Sequence, residues 1–164
     1  MRPAAQDARR AEGAKLVMPL RRLAAPQQGP RLVPRLLQLD EPDDAGLAGW
    51  VARVREALET CLVVDGDGRV AAMSAACGRL LDVDPVRSTG VRLLDLCVLV
   101  DFTEGAVPLE DPEQAAPPLR ALRTGRHARG LVRLRDHAGG LSTYDVVGVP
   151  LAGGVGAVAF LSEV

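Results

Sequence analysis

The C-terminal third of the chain contains three apolar segments separated by two pairs of glycines. In the first, Leu131–Arg135, arginines alternate with Val132 and Leu134, the period of a strand with one wet and one buried face. Gly139-Gly140 follows it, and Gly153-Gly154 separates the other two segments, which run from 144 to 151 and from 155 to 161. Because short apolar runs around glycine turns are typical of hairpins, we predict three consecutive antiparallel strands.

A helix and a further hairpin are predicted upstream of these strands. Between Leu47 and Leu58 the apolar residues recur at i, i+3, i+4, i+7 and i+11, which is one stripe of an amphipathic helix: Leu47, Trp50, Val51, Val54 and Leu58. Two short apolar runs then flank the turn Asp65-Gly66-Asp67-Gly68. The acidic and glycine residues are those that a tight turn requires, so we interpret Asp65 and Asp67 as turn residues rather than calcium ligands.

The segment between the hairpin and the last three strands contains residues that typically begin or end helices. Ser74 can cap a helix over Ala75–Leu81, and Pro117-Pro118 can open one that Gly125 closes. The run Val91–Val100 is almost wholly apolar, and its type stays ambiguous between helix and strand. The order of elements is helix, two strands, short helices and three strands, which favours one antiparallel sheet with helices on one face.

The first 46 residues differ in composition from the rest. Residues 1–39 hold eight Arg or Lys against two acids, a net charge of +6, whereas the remainder holds twelve Arg against nineteen acids. We expect a poorly ordered basic arm over 1–46, with upstream sequence before Met18 as an alternative, and one domain over 47–164. Within that domain, 47–59 is the flanking helix and 60–164 the core. A second hypothesis is that the arm binds nucleic-acid phosphates through Arg9, Arg10, Arg21, Arg22, Arg31 and Arg35.

The ordered succession of these elements resembles a PAS domain. The stretch CLVVDGDGRVAAMSAACGRLLDVDP is similar to the family's opening strands and first helix, PPLRALRTGRHARGLVRLR to its central helix and next strand, and YDVVGVPL with GAVAFLSEV to its last two strands. The resemblance implies an α+β fold with a five-stranded antiparallel sheet, a ligand-sized space between sheet and helices, and a role in signal transduction. One departure is Ser74, which stands where many members carry an Asn.

The resemblance also implies where a ligand would lie. We predict a pocket lined by apolar side chains on the inner side of the sheet, namely Met73, Leu81, Leu93, Leu96, Val132, Leu134, Tyr144 and Val146. No tightly bound cofactor is predicted. Only four residues are aromatic, and the text from Leu93 to Val98 lacks the polar Asn-Cys-Arg-Phe-Leu-Gln motif with which photoactive members bind flavin. Cys97 is therefore interpreted as a small core residue.

Haem is disfavoured by a similar comparison. Haem-binding members hold iron through a His of the central helix, and His127 is the weak candidate here. It follows Gly125, outside the predicted helix and between arginines, so we expect a solvated side chain. His137 is interpreted as a surface turn residue, and we predict no metal.

No set of catalytic residues is present, so we predict that the chain is not an enzyme. It has no GxSxG, HExxH or phosphate-binding loop, and only two histidines. The widely spaced Cys61, Cys77 and Cys97 fit neither a disulfide framework nor a zinc site, which indicates a reducing compartment. Without an apolar leader or a membrane span, we expect a cytoplasmic location.

The leading hypothesis is a stand-alone signalling module that dimerises or binds a signalling partner. Val147 and Val149 point to the sheet face opposite Tyr144 and Val146, where polar residues are expected. Something should cover them, either the flanking helix of the same chain or its copy in a dimer. The predicted association face comprises the helix stripe, Leu47, Trp50, Val51, Val54 and Leu58, with Val147 and Val149. The alternative is a sensor that holds a small apolar molecule in the pocket. A basic run that could meet an acidic partner is interpreted as a solvated surface: Arg120, Arg123, Arg126, Arg129, Arg133 and Arg135.

Overall fold

The computed structural model describes residues 46–136 and 139–164. Within these ranges the helices are α1 Leu47–Glu56, α2 Ala75–Leu81, α3 Leu93–Leu96, α4 Pro112–Ala115 and α5 Pro117–Thr124. The strands are β1 Cys61–Asp65, β2 Val70–Met73, β3 Val98–Val100, β4 Ala128–Arg135, β5 Leu141–Pro150 and β6 Gly156–Glu163. The predicted arm lies outside the described residues, apart from Gly46.

The strands form one antiparallel sheet in the order β2-β1-β6-β5-β4-β3. The α+β class and the antiparallel sheet are confirmed, but the described residues hold six strands rather than five. The additional strand is β3, within the ambiguous run Val91–Val100, which divides into α3 and this strand. With only three residues, β3 is too short for periodicity to reveal. Its pairing with the far end of β4 is a tertiary interaction that local sequence does not encode.

The β1–β2 hairpin confirms that Asp65 is a turn residue. Its Oδ1 accepts hydrogen bonds from the amides of Asp67 at 3.0 Å and Arg69 at 2.9 Å. Gly68 has φ 73°, a left-handed conformation that side chains disfavour. The Asp65 carboxylate therefore stabilises the turn, because it accepts hydrogen bonds from amides within the turn.

Ser74 joins the end of β2 to the start of α2. Its buried hydroxyl accepts from the amides of Cys77 at 3.1 Å and Cys61 at 3.2 Å, and donates to the carbonyl of Glu59 at 2.8 Å. The predicted N-cap is confirmed, and the same oxygen also ties the loop after α1 to the first strand. The hydroxyl is thus the junction between the helices on the two faces of the sheet.

The sheet has a buried core on each face. The inner face packs against α2, α3 and α5, with Leu62, Val64 and Val146 among its buried residues. The outer face packs against α1. Helix α5 approaches β5 so closely that a Cβ on Gly148 would lie 2.5 Å from the Pro117 carbonyl oxygen. No helix among the described residues is both long and apolar enough to cross a bilayer.

Candidate interaction face and inner cavity

Helix α1 of the same chain covers one half of the outer sheet face. Trp50 and Val54 are buried against a cluster that includes Val63 of β1 and Val158 of β6. Leu47, Val51 and Val149 pack partly buried around this cluster. Of the two arrangements that the sequence leaves open, the structure thus shows the intrachain one for the helix stripe. The helix ends at Glu56 rather than Leu58, and Leu58 lies beyond it with 93% of its surface exposed.

The other half of the outer face carries a band of exposed apolar side chains. Leu131 on β4 is 56% exposed and pairs with Asp145 on β5. Val147 lies on β5 two residues after Asp145, and it is half-buried beside Phe160 of β6. The band continues at the opposite end with Leu141 at 41% and Val98 at 47% exposed, each paired with Arg135. The exposed apolar side chains thus lie on three strands, and the pair of Arg133 with Thr143 separates Leu131 from Leu141.

An ion pair lies within this band. Arg129 Nε donates to Asp145 Oδ1 at 2.9 Å, and Arg129 Nη2 donates to Asp145 Oδ2. The guanidinium lowers the pKa of Asp145 below its ordinary value, and the carboxylate raises the pKa of Arg129. Both groups are therefore charged at neutral pH, and the band presents one cation and one anion side by side.

A loop over Asp101–Pro108 meets the outer face at its far edge. Arg133 Nη1 donates to the carbonyl of Thr103 at 3.0 Å, and Arg135 Nη2 donates to that of Ala106 at 2.5 Å. Two of the six arginines interpreted as a solvated surface thus hold this loop instead. The structural reason is a contact between residues about thirty positions apart, which sequence spacing does not reveal.

Three further arginines of that run also have partners within the chain. Arg120 donates to the carbonyl of Arg129 at 2.8 Å, Arg123 donates to Gln114, and Arg129 pairs with Asp145. These hydrogen bonds are themselves exposed to solvent, so the arginines lie at the surface and also have partners within the chain. These side chains organise the region between α4, α5 and β4.

A small apolar cavity lies between the inner sheet face and the helices. Its volume is about 40 Å³. Five of the eight predicted pocket residues line it, namely Leu81, Leu93, Val132, Leu134 and Val146. Sequence reasoning missed other wall residues, among them Leu62, Leu94, Leu99 and Leu161. The alternation of side chains along β1 and β6 predicts that Leu62 and Leu161 point to the inner face. The position of Leu94 depends instead on how α3 packs.

The remaining three predicted pocket residues lie elsewhere. Leu96 and Tyr144 line a neighbouring crevice of about 70 Å³, where the Tyr144 hydroxyl donates to the carbonyl of Leu80 at 3.4 Å. Met73 is buried in the same inner core but lines a surface groove beside Arg55 rather than the cavity. The inner space is thus divided by side chains into small compartments.

Comparisons with known proteins agree on the fold. No protein-family model and no curated protein sequence matches the chain. A PAS domain of a protein from Colwellia psychrerythraea matches with a TM-score of 0.51 at 15% identity, over 72% of this chain and 96% of that one. The Rhodobacter sphaeroides LOV protein matches with a TM-score of 0.53 at 15% identity, over 70% of this chain and 64% of that one. The chain has the PAS fold.

The PAS fold places the cysteines in and around the core. Cys61 and Cys77 are fully buried, and Cys97 is half-buried beside the cavity with its thiol 3.9 Å from the carbonyl of Leu93. Burial raises the pKa of Cys61 and Cys97 to about 11 and that of Cys77 to about 12. All three are therefore neutral thiols at physiological pH, and neutral thiols are weak nucleophiles.

Within this PAS fold, His127 lies in the exposed connection between α5 and β4. His137 lies outside the described residues. Over the described ranges, no group of three or more His, Cys, Asp or Glu is arranged to hold a metal ion. The arginines of the arm and its predicted nucleic-acid contacts also lie outside the described residues.

Proposed function

We propose that this chain is a PAS-type regulatory module that works by association with a second copy of itself. The exposed apolar band around Leu131 carries this proposal, because α1 covers only the other half of the outer face. An apolar band on a sheet loses its contact with water when a partner covers it, at about 25 cal/mol per Å².

The charges of the band favour a second copy over an unrelated partner. A two-fold interface brings the same patch of two subunits together, so the patch must be complementary to itself. Arg129 and Asp145 supply one charge of each sign, which allows each Arg129 to face the other subunit's carboxylate. The apolar side chains on one side of this pair then meet those on its other side in the second copy.

The described residues favour binding over chemistry. The titratable groups with shifted pKa values are buried thiols, or carboxylates and an arginine engaged in turns, capping bonds and one ion pair. Each shift has a structural cause. We therefore propose a role in signal transduction without catalysis, by analogy with the fold.

Sedimentation velocity on the full chain tests the association. We expect a concentration-dependent dimer that Leu131→Asp shifts to monomer, since the substitution places a charge in the apolar band. Val86→Asp is the control, because Val86 is exposed on the loop after α2, outside the apolar band. A wild-type chain that stays monomeric at high micromolar concentration, or equal effects of the two substitutions, contradicts the proposal.

We propose that any ligand of the inner cavity is a small apolar molecule rather than flavin or haem. The cavity of about 40 Å³ is far below the roughly 300–1,000 Å³ of pockets for larger ligands. Its walls are aliphatic apart from Cys97, so they offer few groups to orient a polar cofactor. A native mass spectrum of purified chain should show no bound cofactor mass, while a retained flavin or haem mass and visible absorbance would overturn this view.

A further inference from the structure

An open cleft of about 490 Å³ lies at the end of the sheet where the β1–β2 turn is exposed. It is separate from the outer-face band, and its size is within the range of about 300–1,000 Å³ for binding pockets. Four leucines form its apolar part: Leu93, Leu94, Leu119 and Leu122. Leu93 is buried and the others are half-buried, so the cleft exposes part of the inner core to solvent.

The edge of the cleft carries charges of both signs. Asp67, Asp95 and Glu113 are exposed there, together with Arg92 and Arg123. An occupant that suits this cleft therefore combines aliphatic side chains with both basic and acidic groups.

The start of α1 lies beside this cleft. Leu47 packs against Gly156, since a Cβ on that glycine would lie 3.3 Å from Leu47 Cδ1. Two residues before Gly156, Gly154 lines the cleft, and its carbonyl oxygen lies 3.7 Å from the position of a Cβ on Gly66, which also lines the cleft. Gly46, the residue before Leu47, therefore lies near the margin of the cleft.

That preceding chain has the composition that the cleft requires. Residues 35–39 read Arg-Leu-Leu-Gln-Leu, and residues 40–44 read Asp-Glu-Pro-Asp-Asp. The segment thus offers three leucines to the apolar part, one cation to the acidic side chains, and carboxylates to Arg92 and Arg123. The seven residues 40–46 span up to about 23–25 Å when extended, which is ample for a site next to their point of attachment.

We propose that residues 35–39 dock in this cleft of their own chain, with the leucines against Leu119 and Leu122 and Arg35 near the acidic edge. Because the segment is tethered, its effective concentration at the cleft is about millimolar, so even a weak contact is populated. The cleft is then the internal docking site of the arm, and this contact is independent of the dimer proposed above.

Disulfide trapping in the full chain tests the docking. Gln38→Cys is combined with Asp67→Cys at the edge of the cleft, and the control pairs Gln38→Cys with Val86→Cys, an exposed residue near the other end of α1. The native thiols are buried, with pKa values raised to about 11 or 12, and compete poorly. The readout is the rate of intrachain disulfide formation under mild oxidation, followed by peptide mass mapping.

We expect the pair with Asp67→Cys to form its disulfide about tenfold faster than the control pair. Docking raises the effective concentration of the Gln38→Cys thiol at the cleft above the value that tethering alone provides. Adding Leu36→Asp and Leu37→Asp should reduce the rate to that of the control. Equal rates for the two pairs, or a fast rate that the aspartates leave unchanged, would overturn the proposal. So would a disulfide between two chains, which assigns the cleft to a second copy. Sedimentation of the aspartate variant separates this result from the outer-face dimer, which should persist.

Discussion

Ser74→Ala removes the hydroxyl that joins the two helical layers of the domain. In the native protein this oxygen accepts hydrogen bonds from the amides of Cys61 and Cys77 and donates one to the carbonyl of Glu59. Alanine leaves the two amides without that partner, at a position where the side chain is fully buried. Water is therefore poorly placed to replace the lost bonds.

The expected loss of stability follows from these bonds. Removing an N-cap costs about 0.5–2 kcal/mol, which accounts for the Cys77 amide. Leaving the buried Cys61 amide unpaired costs about 1–3 kcal/mol. We expect a loss of about 2–4 kcal/mol in the free energy of unfolding, a large part of the roughly 5–15 kcal/mol of a typical domain.

Urea denaturation followed by the fluorescence of Trp50 measures this loss. Trp50 is the single tryptophan of the chain, and it is buried between α1 and the sheet. Ser88→Ala is the matched control, because Ser88 is also buried but its hydroxyl only donates one bond, to the carbonyl of Asp84. That carbonyl also accepts from the Ser88 amide. A Ser74→Ala loss no larger than that of Ser88→Ala would refute the junction described above.

Two further predictions concern packing and pH. Gly148→Ala should destabilise the chain by about 1–3 kcal/mol, because its new Cβ meets the Pro117 carbonyl. Gly130→Ala, where the nearest atoms lie at 3.7 and 3.8 Å, should be neutral or stabilising by up to about 1 kcal/mol in the same urea titration. The buried thiols have pKa values raised from 9.0 to about 11 or 12, so the unfolded chain loses these protons first as pH rises. Their contribution to stability should be complete below pH 9 and be lost as the pH rises through 11, whereas thermal melts that keep the same midpoint from pH 8 to 11 would contradict this.

Much of the fold was predictable because local signals and the final elements agree. Ser74 caps α2 as predicted, Gly125 closes α5 with φ 63°, and the glycine pairs separate the last three strands. These features depend on residues within one or two turns of each other. The alternation of Val132 and Leu134 with arginines also placed them correctly on the inner face.

The features that the sequence did not predict depend on distant contacts. Strand β3 exists because it pairs with β4 more than thirty residues away, and Arg133 is held by a loop carbonyl at a similar separation. The size of the inner cavity depends on how Leu94 and its neighbours pack, which no periodicity encodes. For α1 the sequence identified the apolar stripe but could not decide whether its own sheet or another chain covers it.

We propose that the uncovered half of the outer sheet face, around Leu131, is the association surface. Hydrogen exchange of the full chain at low and high concentration tests it most directly, with peptides that report separately on β4 with β5 and on α1. We expect protection of Ala128–Arg135 and Leu141–Pro150 to increase with concentration, while exchange in Leu47–Glu56 stays unchanged. Protection that increases in α1 alone, or in neither region although a dimer forms, would contradict the account.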